Sequence, residues 1–221
     1  METQLKVELC ILFIILVIAR LLFLIHKITT GHSKYASNKR IEPCKTIICI
    51  GSGGHTTEMI SLLSTLDFRK YSPRYYIIAT TDTTSLTKVE SLETSKSTQL
   101  REKDYFIKKI PRSRVVQQSY FTSIFTTIFS ILYSIPLVLK IRPDLVLCNG
   151  PGTCIPICVI GFLLKSFFIT DTKIVFIESF CRTKTLSLTG KILVYLADNF
   201  IVQWPNLRKK LKRADYIGQL M

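Results

Sequence analysis

The alternation of apolar and polar stretches along the chain predicts an N-terminal hydrophobic segment followed by a series of strand–helix units. Residues 9–25 are almost continuously apolar, and a run of this length is sufficient to cross a bilayer. The stretch 31–43 is polar and predicts a linker. We therefore expect a transmembrane anchor over residues 1–27, a linker over 28–44 and one globular domain over 45–221.

Six short runs rich in β-branched and aromatic residues predict strands, and a helical pattern follows most of them. The strands are predicted at 46–50, 74–81, 104–110, 143–149, 173–179 and 199–204, and the helices directly after the first strand and at 82–93, 120–139, 153–168 and 188–198. The polar stretch 93–103 predicts a loop, and 208–213 a basic tail. Apolar strands that alternate with helices are typical of a parallel sheet covered on both faces. The predicted fold class is α/β, with a Rossmann-like, doubly wound parallel sheet and an N-terminal transmembrane helix.

The segment 120–139 contains no charged residue, so its length and composition alone would make it a second span. Its pattern favours another interpretation, because hydroxyl residues recur along it at steps of three and four. They are Ser119, Ser123, Thr126, Thr127, Ser130 and Ser134. One hydroxyl stripe on an otherwise apolar helix predicts a buried or membrane-resting helix that does not cross the bilayer.

Charges around the first hydrophobic segment predict its orientation. Lysine and arginine are more numerous after it, at positions 27, 34, 39, 40 and 45, than before it. Since positively charged flanks stay on the cytosolic side, we expect the body of the protein in the cytosol. No small-residue cleavage site follows the segment, which argues against a signal peptide. Arg20 lies near its end, where the side chain can reach the interface.

A glycine-rich turn follows the first predicted strand. Gly51, Gly53 and Gly54 come after that strand, and His55 and Thr56 follow them at the start of a helical pattern. The N-terminus of a helix carries partial positive charge, and glycine lets an anion approach the backbone closely. The turn therefore predicts either a phosphate-binding loop or a tight strand–helix connection without a ligand.

Polar residues also end the neighbouring strands. Arg112 and Arg114 follow the third strand, and Glu178 ends the fifth. A second glycine turn, with Asn149, Gly150 and Gly152, follows the fourth strand. In doubly wound sheets, ligands bind at the carboxyl ends of the strands. These residues are therefore expected to share one rim with the first glycine turn, which favours the phosphate-binding interpretation.

Composition and motif spacing exclude several classes of ligand. The net charge of +15 favours an anionic partner, but no RNA- or DNA-binding module is recognisable, so we expect no nucleic acid. The third glycine of a dinucleotide fingerprint is replaced by Thr56, and no P-loop occurs. The seven cysteines are scattered without a CxxC pair, so we expect reduced thiols and neither a metal site nor a cofactor. A membrane-bound oxidoreductase is a weak alternative.

Five blocks of sequence resemble the asparagine-linked glycosylation protein 14 family. They are GSGGHTTEM (51–59), PRSRVVQQS (111–119), DLVLCNGPGTCIP (144–156), IESFCRTKTLSLTGK (177–191) and ADNFIVQW (197–204). The resemblance implies the membrane-anchoring subunit of the transferase that adds the second GlcNAc to a dolichol diphosphate. It also implies the acceptor-binding half of a GT-B fold and a location in the endoplasmic reticulum membrane and contiguous nuclear envelope.

The resemblance further implies a soluble catalytic partner, of the asparagine-linked glycosylation protein 13 type, that brings UDP-GlcNAc. The segment after Trp204 is then expected to help hold that partner. Diphosphate contacts are expected from the two glycine turns, Thr56, Arg112, Arg114 and Asn149, and His55 or Glu178 is the candidate base. The PRSR block continues with Val115, where many relatives carry an acidic residue. A pure scaffold that lacks a diphosphate site remains a competing interpretation.

Overall fold

The computed structural model describes residues 2–32, 40, 42–97, 104–115 and 117–220. Within these ranges the helices are α1 (Glu2–Thr29), α2 (Gly54–Ser64), α3 (Thr84–Ser97), α4 (Tyr120–Ile141), α5 (Cys154–Ser166), α6 (Leu188–Leu193) and α7 (Pro205–Lys210). The strands are β1 (Thr46–Cys49), β2 (Arg74–Ala79), β3 (Tyr105–Ile110), β4 (Leu145–Asn149), β5 (Lys173–Ile177), β6 (Asn199–Val202) and β7 (Asp215–Tyr216).

All neighbouring strands are parallel, and they form one sheet in the order β3-β2-β1-β4-β5-β6-β7. The chain winds outward from β1 to β3 and then returns to the other side of β1 with β4. The carboxyl ends of β1 and β4 therefore flank the switch point, where the connecting loops diverge and leave a crevice. The predicted Rossmann-like, doubly wound parallel sheet is confirmed.

Alternate residues of each strand point to opposite faces of the sheet, so the apolar core is divided into two layers. Ile47 and Cys49 of β1 face the layer that α1, α4 and α5 cover. Ile48 of the same strand faces the layer that α2 and α3 cover. Burial on both faces explains why the strands are almost continuously apolar and do not alternate with polar residues.

The N-terminal helix α1 is exposed along most of its length but packs on the body at its end. It is one of two helices, with α4, that are long and apolar enough to cross a membrane among the described residues. Leu24 and Ile28 are buried, and Arg213 donates to the carbonyl of Ile28 (Nη1···O 2.7 Å). The guanidinium of Arg20 lies 4.3 Å from the ring centroid of Phe168. Helix α1 extends to Thr29, so residues 28 and 29, the first two of the predicted linker, belong to the helix.

Helix α4 turns its hydroxyl stripe towards the protein and its aromatic face outward. Thr126 Oγ1 donates to the carbonyl of Ser113 (2.6 Å), and Ser130 Oγ donates to the carbonyl of Pro111 (2.8 Å). Phe121 and Phe125 are 72% and 63% exposed. This arrangement is the reverse of a helix on a water-soluble protein, because the polar side chains lie inside and the apolar ones outside.

One prediction about local structure is wrong. The stretch 93–103 was predicted to be a loop, but α3 continues to Ser97, and residues 98–103 lie outside the described part of the chain. Glu93 is a buried helical residue that pairs with Arg74 (Oε1···Nε 2.7 Å), so tertiary pairing outweighs the local polar composition. The basic tail predicted at 208–213 begins within helix α7, and the short strand β7 that follows it extends the sheet.

Candidate functional site

A cavity of about 1070 Å³ lies at the carboxyl ends of the strands, beside the switch point. Its lining has two chemically different parts. One part is polar and comes from the loops after β1, β3, β4 and β5. The other part is apolar and comes from Ile124 and Ile128 of α4, Ile155 of α5, and Leu188 and Ile192 of α6. The cavity therefore suits a ligand with one polar and one apolar end.

The two glycine turns enclose the imidazole of His55. A Cβ atom added to Gly51 would lie 2.7 Å from Cβ of His55, and one added to Gly150 would lie 2.7 Å from its Nδ1. Gly150 also has a φ of +65°, which other residues adopt only with strain. Glycine is thus required at both positions for His55 to lie between the loops.

A chain of hydrogen bonds determines which ring nitrogen of neutral His55 carries the proton. Asn149 Nδ2 donates to Oε2 of Glu58 (2.9 Å), and because a carboxylate only accepts, this orients the amide. Asn149 Oδ1 then faces Nδ1 of His55 at 3.2 Å and accepts its proton. In the neutral imidazole, Nε2 is left as the proton acceptor. Since His55 lines the cavity, this arrangement provides a proton-accepting nitrogen on a residue of the lining.

Glu58 holds several parts of the site together, although sequence reasoning missed it. Its buried carboxylate also accepts from Ser179 Oγ (2.9 Å), the Phe180 amide (3.1 Å) and Gln203 Nε2 (3.1 Å). It therefore connects α2 to β4 and to the loops after β5 and β6. The available signal was its position three residues after His55, which places both on one face of a helix.

Glu178 lies behind the cavity, outside its lining. The carboxylate accepts from the backbone amides of Ser179 (3.0 Å) and Ser187 (2.9 Å), and a Cβ added to Gly190 would collide with it. Burial raises the pKa of this carboxyl group above its usual range. Its position suits a residue that shapes the loop between β5 and α6 better than one that contacts a ligand.

Thr56 also lies outside the lining and supports the first glycine turn from behind. Its hydroxyl donates to the carbonyl of Gly51 and lies 2.7 Å from Oγ of Ser85. Ser85 in turn donates to Oδ2 of Asp82 (2.7 Å). Of the predicted site residues, Gly51, Gly54, His55, Arg112, Arg114, Gly150 and Gly152 line the cavity, whereas Gly53, Thr56, Asn149 and Glu178 do not.

The two arginines of the PRSR block differ in their availability to a ligand. Arg114 donates to the carbonyl of Gln118 (Nη2···O 2.9 Å) and lies over the ring of Tyr120 at 4.3 Å. Arg112 lines the cavity and forms no hydrogen bond or ion pair with any residue in the described ranges. Arg112 is therefore the better candidate for a direct contact with an anion.

Two buried hydroxyl groups in the lining have no hydrogen-bond partner among the described residues. They are Ser113 Oγ, beside Arg112, and Thr153 Oγ1, which follows the second glycine turn. Buried polar atoms are rarely left without a partner in proteins. Together with Arg112, and with Arg182 from the loop after β5, they make the polar part of the cavity suitable for an anion. Sequence reasoning had no signal for either hydroxyl group.

Comparison with known proteins identifies the family of this chain. The family model described as "Oligosaccharide biosynthesis protein Alg14 like" matches residues 46–220. The mouse UDP-N-acetylglucosamine transferase subunit ALG14 is 46% identical over 184 residues, which cover 81% of this chain and 84% of the relative. The subunit from Schizosaccharomyces pombe is 43% identical over 209 residues, which cover 93% and 97% of the two chains.

Among solved structures, MurG from Acinetobacter baumannii has a similar fold, with a TM-score of 0.50 and 14% identity. The match covers 74% of this chain but only 42% of the MurG chain, so this protein spans about two fifths of it. The agreement of the family model with the curated relatives confirms the resemblance seen in the sequence blocks. This chain belongs to the Alg14-like family of oligosaccharide biosynthesis proteins.

Proposed function

We propose that this chain is the membrane-anchored, acceptor-binding subunit of the UDP-GlcNAc transferase that adds the second GlcNAc to GlcNAc-diphosphodolichol. The observation that carries the proposal is the divided cavity. Its polar part lies among glycine turns and arginines, and its apolar part includes Ile124 and Ile128, which are also 55% and 48% exposed on α4. An acceptor with a diphosphate between a sugar and a lipid has matching chemistry.

The diphosphate is assigned to the polar part of the cavity. Gly54, which lines the cavity, begins α2, an 11-residue helix whose N-terminal backbone amides favour an anion. Arg112 supplies a guanidinium without another partner in the described ranges, and charge-assisted hydrogen bonds to phosphate are strong. The hydroxyls of Ser113 and Thr153 complete the set of donors. The lipid then leaves along the outer face of α4.

His55 is assigned the role of general base. Its Nε2 accepts the proton of the attacking GlcNAc hydroxyl while the hydroxyl oxygen bonds to the anomeric carbon of the donor sugar. UDP leaves with the electrons of the broken bond, and the anomeric configuration is inverted. Asn149, held by Glu58, keeps Nδ1 protonated, and an oriented base of this kind contributes about 10²–10⁴-fold to a rate. Glu178 acts only by holding its loop.

The donor sugar is assigned to a separate soluble subunit of the asparagine-linked glycosylation protein 13 type. A GT-B active site lies between two domains, and this chain supplies one. The C-terminal segment is the proposed contact: the Leu220 amide donates to Gln203 Oε1 (3.0 Å), and Ser61 Oγ donates to the Leu220 carbonyl (2.8 Å). These bonds hold the tail against α2 and the loop after β6, with Ile217 exposed. Gln203 also bonds to Glu58, which connects the tail to the site.

The proposed membrane arrangement is supported by two apolar helices. Helix α1 is the proposed span in the endoplasmic reticulum membrane, with the body of the protein on the cytosolic side. Helix α4 is proposed to rest in the cytosolic leaflet of that membrane without crossing the bilayer. The hydroxyl bonds from α4 to the 111–113 loop hold that helix on the body, and a second crossing would separate it from the loop.

Reconstitution of the transferase tests the proposal. The purified full chain should show no GlcNAc transfer alone and full transfer after addition of the soluble subunit. With the complex, Arg112→Gln should raise the KM for a GlcNAc-diphosphate lipid about tenfold or more, since a charged hydrogen bond is worth about 1.5–3 kcal/mol. Arg114→Gln is the matched control and should change that KM less, because Arg114 is already engaged by Gln118 and Tyr120.

Turnover by the chain alone would contradict the two-subunit proposal. An unchanged acceptor KM in Arg112→Gln, with the complex intact, would favour a scaffold without a diphosphate site.

A further inference from the structure

Four of the seven cysteines meet in the core directly beneath the two glycine turns. Cys49 is the last residue of β1, Cys148 lies in β4, and Cys154 and Cys158 lie in α5. All four are buried free thiols, and none of them lines the cavity. We call these four residues the thiol cluster. The proposed transfer reaction does not use it.

Secondary structure explains why residues so far apart in sequence converge. Cys49 and Cys148 are register partners on neighbouring parallel strands, and their side chains point to the same face of the sheet. Cys154 and Cys158 are four residues apart, so they share the face of α5 that packs on those strands. The cluster therefore consists of two sulfur atoms from the sheet opposite two from the helix.

The distances within the cluster are close to those of a metal centre. The sulfur atoms of Cys49, Cys148 and Cys154 all lie within 4.8 Å of one another. Cys158 Sγ lies 3.3 Å from Cys148 Sγ. In a tetrahedral zinc–thiolate site, Zn–S bonds of about 2.3 Å place the sulfur atoms about 3.8 Å apart. Shifts of about 1 Å, within the reach of χ1 adjustment, would bring the three sulfur atoms to that spacing.

We propose that the thiol cluster binds one thiophilic d¹⁰ metal ion, Zn²⁺ or Cu⁺. Soft thiolate ligands select these ions, and the dry apolar surroundings exclude water as a competing ligand. Each thiol that becomes a ligand loses one proton to solvent, and its sulfur donates an electron pair to the metal without any change in oxidation state.

Such a metal ion would connect the elements that carry both glycine turns. Cys49 precedes Gly51 by two residues, Cys148 directly precedes Asn149, and Cys154 directly follows Thr153. One metal ion would thus fix β1, β4 and the start of α5 relative to each other. Its role is structural, since no thiol of the cluster faces the cavity.

Metal content of the full chain, purified with its soluble partner in detergent under anaerobic conditions without chelator, tests the proposal. Elemental analysis of protein from zinc-supplemented and copper-supplemented cells should show about one ion per chain in one of the two preparations, as for a structural thiolate site. The apoprotein loaded with Co²⁺ should show thiolate-to-cobalt charge-transfer absorption and the d–d bands of tetrahedral coordination.

Single substitutions locate the ion. Cys49→Ala and Cys148→Ala should each lower the metal content at least tenfold, whereas Cys181→Ala, which removes an exposed thiol, should leave it unchanged. Unchanged content in the cluster variants would overturn the proposal. It would also be overturned if the wild-type chain carried neither ion and gave no cobalt spectrum, or if mass analysis showed a Cys148–Cys158 disulfide instead. The wild-type measurements decide the question even if a cluster variant fails to fold.

Discussion

Replacement of Gly150 by alanine should inactivate the transferase by displacing His55. An alanine Cβ at this position would lie 2.7 Å from Nδ1 and 3.4 Å from Nε2 of the imidazole. Since nonbonded carbon contacts are optimal at about 3.5–4 Å, the ring must retreat by about 1 Å. That movement breaks the 3.2 Å hydrogen bond between Nδ1 and Asn149 Oδ1.

The magnitude can be worked from these contacts. Left-handed backbone at Gly150 (φ +65°) costs a non-glycine residue about 1–2 kcal/mol, and the lost hydrogen bond costs about 0.5–1.5 kcal/mol. The free energy of unfolding should therefore fall by about 1.5–3.5 kcal/mol. If His55 is the general base, kcat should fall about 100-fold or more.

The assay is GlcNAc transfer to a GlcNAc-diphosphate lipid by the reconstituted two-subunit complex, with both substrates saturating. Gly161→Ala is the control: this glycine lies outside the cavity lining, and an added Cβ there would come no closer than 3.6 Å to any atom, so its kcat should stay near wild type. In the double variant Gly150→Ala/His55→Ala, the alanine meets no imidazole. Its kcat should therefore equal that of His55→Ala within about threefold, because coupled residues are not additive.

Two results would refute the reasoning. One is a wild-type kcat for Gly150→Ala, which would show that the position of His55 is irrelevant. The other is full additivity of the two substitutions in a complex that remains folded and assembled, which would show that Gly150 acts on something other than His55.

Three further predictions follow from the buried groups and from the membrane-facing surface. Glu58→Ala should lower the free energy of unfolding by about 3–5 kcal/mol, because it leaves buried donors of Asn149 and Gln203 unpaired. Glu58→Gln should cost less, since its amide oxygen can still accept some of these hydrogen bonds. Equal losses of thermal stability in the two variants would contradict this prediction. Burial raises the pKa of Glu178 above 4.5, so the folded state binds more protons than the unfolded state above that pH. The free energy of unfolding should therefore fall as the pH rises from 4.5 to the raised pKa of Glu178. Thermal melting over this pH range checks this: if the melting temperature of Glu178→Gln depends on pH as steeply as that of wild type, the prediction is contradicted. A chain that lacks residues 2–20, but keeps the packed end of α1, should still float with vesicles because the outer face of α4 remains apolar; complete recovery in the soluble fraction would show that α4 does not contact lipid.

The fold was predictable because its signals are local. Near-continuous apolar strands such as 46–50, each followed by helical spacing, require a parallel sheet with both faces covered. The spacing of the hydroxyl residues likewise predicted a helix at 120–139, which the structure has as α4. Prediction was wrong at 93–97, where the ion pair of Glu93 with Arg74 stabilises a helix that the polar composition does not favour.

The site was predictable only in part. The carboxyl ends of parallel strands share one edge, so Gly51, His55, Arg112 and Gly150 could be placed together from the order of the strands. The same rule placed Glu178 on the rim, but its side chain is directed to the backbone amides of its own loop. A rule about strand ends locates a backbone position and does not specify where the side chain points.

Sequence by itself determined the N-terminal apolar helix, the doubly wound sheet, the two glycine turns and the family, since each depends on composition or on spacing within a short stretch. Tertiary structure alone decided that Glu58 orients His55 through Asn149, that Arg112 rather than Arg114 is available, and that four scattered cysteines share one place in the core. The physical reason is that these contacts join residues about 90 or more positions apart in several cases, and their geometry exists only after strands β1 and β4 pair and α5 packs across them.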